Sequence, residues 1–68
     1  MERKNRNRMR HEYRVLTEQE KTQVRAVKDK ALALYECIES LGVSLESSLA
    51  KTRTEEAAMW AVKHITGP

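Results

Sequence analysis

Six apolar residues, Val24, Val27, Ala31, Leu34, Ile38 and Leu41, recur at alternating spacings of three and four between Thr17 and Gly42. A seam of that period, kept for nearly three heptads, is the pattern of a helix packed lengthwise on another helix. Thr17, with Glu20 three residues on, predicts a capping box at the start of the helix. Gly42 predicts its end as the C′ residue, because glycine adopts a left-handed conformation without a Cβ penalty. A helix over 18–41 holds 24 residues and makes a rod of about 36 Å. The rest of the chain has to be arranged along that rod.

Sixty-eight residues make one domain at most, and two helices of this size enclose no deep core. A chain this small needs disulfides, a metal or a partner subunit. One cysteine excludes an internal disulfide, and no Cys/His cluster has zinc-ligand spacing. Self-association is what remains, so composition predicts an obligate homo-oligomer.

The net charge of +3 divides unevenly. Residues 1–10 carry Arg3, Lys4, Arg6, Arg8 and Arg10 against Glu2, or +4, and the other 58 residues hold eight basic and nine acidic side chains, or −1. The folded part, 11–68, is therefore close to neutral, with the basicity in a flexible tail over 1–10. Two readings of that tail stand side by side: a nucleic-acid arm that neutralises phosphates, and a solvated extension, which is favoured for so short a run. No apolar run reaches signal-peptide or membrane-spanning length, so a soluble, cytosolic protein is expected. The lone cysteine agrees with a reducing compartment.

Tyr13, between Arg10 and Arg14 and just before the helix start, has the chemistry to stack on a nucleobase while the cations hold a phosphate. Spacing alone favours a ring folded over the helix end or a neighbouring subunit. Lys21, Arg25 and Lys28 form a basic strip beside the seam, facing an anion or acidic partners, with Glu18 and Glu36 as protein candidates. Cys37 is expected to be a small, half-buried hydrophobe beside the seam.

Ser44 predicts the cap of a second helix over about 45–65, ended by Gly67 and Pro68. Its apolar positions are Leu45, Leu49, Ala57, Ala58, Trp60, Ala61, Val62 and Ile65, and the stripe fails between Lys51 and Glu56. That interruption is either a helix break, with Thr54 capping a new helix from Glu55, or a polar interface site. Arg53 between Thr52 and Thr54 suits a phosphate, since all three are donors, and it equally suits an ion pair with a glutamate across a subunit contact. No nucleophile stands with a base, no metal-ligand spacing occurs and no glycine loop could cradle a phosphate. The chain reads as a binder without catalysis and without a cofactor.

The order Tyr13-Arg14-x-Leu16-Thr17-x-x-Glu20, Lys28, Leu45 to Thr54 and Met59-Trp60-Ala61-Val62-Lys63-His64-Ile65 resembles the small phage anti-CBASS sponge proteins. The resemblance covers most of 11–68 and leaves the Arg-rich tail outside. It implies an all-α two-helix hairpin assembled as a homohexamer in the host bacterial cytoplasm during infection. It implies sequestration, without cleavage, of cyclic di- and trinucleotide messengers such as 3′,3′-cGAMP and cyclic tri-adenylate. Carried over by position, Tyr13 stacks on a base of a cyclic dinucleotide, and Lys28 is the cation that reaches it from a neighbouring subunit. Arg53, with Thr54, serves cyclic trinucleotide phosphates near a symmetry axis, and Arg14 and Lys30 complete the implied ligand-binding set. Lys30 stands where a small polar residue is expected, and the short linker lacks an aromatic near Leu45. Both departures bear on the trinucleotide pocket. Two other functions fit the residues alone: an oligomer that binds nucleic acid through residues 3–10, and a coiled-coil adaptor whose basic residues only pair with acids.

Overall fold

A computed structural model describes residues 15–67 of the chain. Over these residues the protein is all helical: α1, Glu18–Glu39, and α2, Leu45–Thr66, pack along each other as a hairpin. Each has 22 residues and is about 33 Å long.

The starts form as the capping residues dictate. The Glu20 amide donates to Thr17 Oγ1 at 3.0 Å, and the Thr17 amide donates to Glu20 Oε1 at 2.9 Å, which completes the box. Ser44 repeats the device with a serine in place of the usual Glu or Gln: Ser47 N–H donates to Ser44 Oγ at 2.9 Å and Ser44 N–H to Ser47 Oγ at 3.0 Å. Glu46 in the first turn of α2 and Lys63 and His64 in its last complement the helix dipole at both ends.

The end of α1 departs from expectation. The helix stops at Glu39 with Ser40 as its C-cap, two residues short of Leu41. Ser40 Oγ donates to the Cys37 carbonyl at 2.6 Å, and the chain tightens into i→i−3 bonds from Leu41 to Ile38 and from Gly42 to Glu39. Gly42 is thus one residue beyond the C′ position assigned to it, although its φ of 115° is the positive value for which glycine is suited. Leu41 leaves the seam and is 77% exposed.

α2 runs unbroken through Arg53, which excludes a break at Thr54. Thr54 does not cap a new helix. Its Oγ1 donates back to the Ala50 carbonyl at 2.7 Å, a bond available to a hydroxyl inside a helix. The helix ends at Thr66, with Gly67 extended (φ −67°, ψ 169°) ahead of Pro68, as a residue before proline prefers. A Cβ at Gly67 would stand 2.9 Å from the Lys63 carbonyl, so the close approach also calls for glycine.

The contact between the helices is thin. Val24, Val27, Ala31, Tyr35 and Ile38 of α1 meet Ala50, Lys51, Thr54, Ala58, Ala61, Val62 and Ile65 of α2, all half-buried except Thr54. At 8% exposure Thr54 is the one buried residue among those described, and no buried hydrophobic residue accompanies it. Tyr35 takes the place expected of Leu34, which is 52% exposed. The spacing of four from Ala31 to Tyr35 keeps the row on the face that meets α2, whereas Leu34 falls at the edge of that face, about 60° round from Ala31. On α2 the expected Leu45, Leu49, Ala57 and Trp60 are exposed, and the gap they leave is filled by Ala50, Thr54 and Ala58. Cys37 is exposed, not half-buried, because it lies about 100° round the helix from Ile38.

Candidate functional site

Ala31 and Ala58 are too small to fill the space beside Thr54, so a groove opens along each flank of the seam. On one flank Lys28, Leu32 and Tyr35 of α1 face Glu55 of α2 across a groove of about 480 Å³, with Thr54 at its floor. On the other, Lys30 and Leu34 face Ala57 and Ala61 across one of about 330 Å³, which Thr54 also lines. A third, of about 690 Å³, lies where α1 begins and α2 ends, between Glu20 and Gln23 on one side and His64 on the other.

The structure therefore brings Lys28 together with Thr54, and Lys30 with Thr54, but on opposite flanks. Lys28 and Lys30 diverge because residues two apart on a helix are about 200° apart in direction. Arg53 is not brought to either groove. It is 72% exposed and its Nη1 donates to Glu56 Oε1 at 2.8 Å, one turn along the same helix. The expected joint presentation of donors by Arg53 and Thr54 is not met within one protomer: neighbours on a helix point about 100° apart, and the Thr54 hydroxyl already donates to Ala50. Within the protomer the glutamate that pairs with Arg53 is Glu56, on its own helix. Tyr13, Arg14 and the tail 1–10 lie outside the described residues.

Charge on the Lys28 flank is only partly neutralised. Lys21 pairs with Glu18 at 3.3 Å. Lys51, expected only as part of the polar interruption, has a specific place: its ammonium is 5.5 Å from the centroid of the Tyr35 ring and 3.9 Å from Glu39 Oε2. It ties the last turns of α1 to the first half of α2 by a cation–π contact and an ion pair. The signal available in the sequence was a lysine on the seam face of α2 with an aromatic on the opposing helix. Lys28 has no ion-pair partner among the described residues, and neither has Glu55.

Among the described residues no group of His, Cys, Asp or Glu is placed to hold a metal ion, and no helix is long and apolar enough to cross a membrane. No curated protein and no solved structure is similar enough to the chain to count as a match. A family model does match, that of the Acb2/Tad1 hairpin domain, over residues 5–66, which takes in both helices and the Tyr13 segment before them. With its two capped helices, its interhelical grooves and that match over nearly its whole length, the chain belongs to the Acb2/Tad1 hairpin family, the anti-CBASS sponges of cyclic oligonucleotides.

Proposed function

We propose that the protein assembles as a homohexamer and sequesters cyclic di- and trinucleotide messengers, 3′,3′-cGAMP among them, intact, so that CBASS effectors in the infected bacterium are not activated. The observation that carries this reading is the family match over residues 5–66. Two physical features support it. Lys28 lines a groove and forms no ion pair among the described residues, so its ammonium is available as a donor to a ligand. The hairpin also leaves its large apolar side chains outside a core, as a protomer of a larger assembly would.

In this reading Tyr13 stacks on a base and Lys28 of a neighbouring protomer supplies the cation, with Arg14 and Lys30 adding positive charge. Arg53 exchanges its exposed pair with Glu56 for a cyclic trinucleotide phosphate near a symmetry axis, and Thr54 shapes the seam beside it. The exchange is cheap, because an exposed pair of this type contributes only about 0.3–0.5 kcal/mol. The family match begins at residue 5, inside the Arg-rich run that the resemblance left out; in this reading the run still contributes little to binding. A sponge stabilises no transition state, which agrees with a chain that offers no nucleophile beside a base.

Calorimetric titration with 3′,3′-cGAMP, with the assembly mass measured in parallel and the nucleotide recovered and identified by chromatography, tests the proposal. Tight binding with intact nucleotide is expected. A hydrolysed product, or no binding of cyclic di- and trinucleotides alike, sinks it. Removing residues 1–10 should leave this binding largely unchanged.

A further inference from the structure

Lys28 and Glu55 carry opposite charges into one groove from opposite helices, yet no ion pair joins them. Local alternatives are also absent. The residues three and four positions either side of Lys28 are Val24, Arg25, Ala31 and Leu32, none of them acidic. Glu55 has Lys51 one turn before it, the position from which a lysine could pair with it, but the Lys51 ammonium is drawn across the hairpin to Tyr35 and Glu39. Neither Lys28 nor Glu55 has another partner among the described residues. The groove is thus lined by a strong donor from one helix and a strong acceptor from the other, with Tyr35 as an aromatic lining residue and a volume of about 480 Å³, ample for one nucleobase.

A phosphate alone does not suit this pair, since a carboxylate repels it. A planar heterocycle with an acceptor next to two donors does. The Watson–Crick edge of guanine reads O6, N1–H and N2–H₂: Lys28 can donate to O6 while Glu55 accepts from N1–H and N2–H₂. Adenine reverses the pattern, setting its N1 lone pair against a carboxylate. An aromatic side chain stacks on either base with little preference, so discrimination falls to the two charges. We propose that the Lys28–Glu55 groove reads the Watson–Crick edge of guanine, and that Glu55 makes the protein favour cyclic dinucleotides carrying guanine over those carrying adenine alone. The inference rests on the cyclic-oligonucleotide reading above and names the base that the site selects.

The test is calorimetric titration of the full chain and of Glu55→Gln with cyclic di-GMP and cyclic di-AMP, assembly mass and helical content being checked for both proteins. The native chain should prefer cyclic di-GMP by roughly tenfold or more, the scale of one well-made two-point base contact. Glu55→Gln keeps the shape of the side chain but swaps one acceptor for a donor, and should cut the preference to about threefold or less. Its affinity for cyclic di-AMP should be unchanged or higher, which a merely structural role for Glu55 would not produce. Equal affinities in the native chain, or a preference that survives in Glu55→Gln, overturn the assignment while leaving the sponge reading in place. Binding of neither ligand by a well-folded native chain also overturns the assignment, and the sponge reading falls with it only when 3′,3′-cGAMP and cyclic tri-adenylate are not bound either.

Discussion

Lys28 and Arg53 are both basic, both on helices and both assigned to ligand, yet their surroundings differ in a way that sets what each substitution should do. Lys28 has no ion pair to lose among the described residues, so Lys28→Ala should leave stability within about 0.5 kcal/mol, as for a surface change away from special features. The same change should weaken cyclic dinucleotide binding more than tenfold by calorimetry, as should Tyr13→Ala, with the assembly mass unaltered. Normal affinity in both variants would remove these two residues from the site. Arg53→Ala should cost at most about 0.5 kcal/mol, the worth of an exposed pair one turn apart, and should act on trinucleotide rather than dinucleotide affinity. Thr54 responds in the opposite way. It is the most enclosed side chain of the hairpin, with Ala31 and Ala58 lining the same grooves, and Thr54→Leu adds bulk where the helices meet. Overpacking of that kind costs roughly 1–3 kcal/mol. A thermal melt monitored by circular dichroism should fall clearly for Thr54→Leu and hardly for Arg53→Ala.

At the scale of the helices, the caps govern local stability because so little packing opposes fraying. Thr17→Ala and Ser44→Ala each remove the acceptor for an amide three residues on and should each cost about 1 kcal/mol in denaturant unfolding. A loss below about 0.2 kcal/mol in both would show that the ends are held by other contacts. These caps and the two helices were legible in the sequence because each rests on interactions within four residues, while the hairpin pairing came from the family resemblance. The register of the seam was legible only in part. Val24, Val27, Ala31 and Ile38 were placed correctly by apolar spacing, but the alternation of three and four selected Leu34 where the structure has Tyr35. What reverses the choice is Lys51, whose ammonium covers the ring from α2, and no one-helix pattern contains that partner. The polar interruption at 51–56 was visible but not its meaning: Lys51 bridges, Arg53 turns outward, Thr54 closes the seam and Glu55 enters a groove. Those four fates follow from rotations of about 100° per residue about an axis, whose orientation is set only once the second helix is in place. The sequence also overextended α1, since nothing in the periodicity of Leu41 reveals that the Ser40 hydroxyl will take the Cys37 carbonyl.

For the whole molecule the decisive fact is what the hairpin fails to cover. Among the described residues nine large apolar side chains are exposed, Leu34, Leu41, Leu45, Leu49 and Trp60 included, and no hydrophobic residue is buried. Scattered exposed leucines are ordinary, but a fold with no buried apolar side chain has little to set against the conformational entropy of ordering two helices. In the proposed assembly the missing burial comes from further copies of the chain, which would make stability depend on protein concentration. Leu34 separates the alternatives well. It is 52% exposed on the Lys30 flank of the seam, away from the Lys28 groove. In a protomer that stays alone, Leu34→Glu exchanges one wetted side chain for another and should change stability by no more than about 0.5 kcal/mol. In an assembly that buries this flank, the same change forfeits about 1.5–3 kcal/mol of apolar burial at every symmetry-related copy and brings a carboxylate into each contact. The expected outcome is a native chain that sediments as a single oligomer with a Tm that rises with concentration, and a Leu34→Glu variant of lower mass, lower helicity and weaker ligand binding. A native chain that sediments as a monomer, with a melt independent of dilution, would show instead that two thinly packed helices hold together unaided, and a ligand site built between protomers could not then exist.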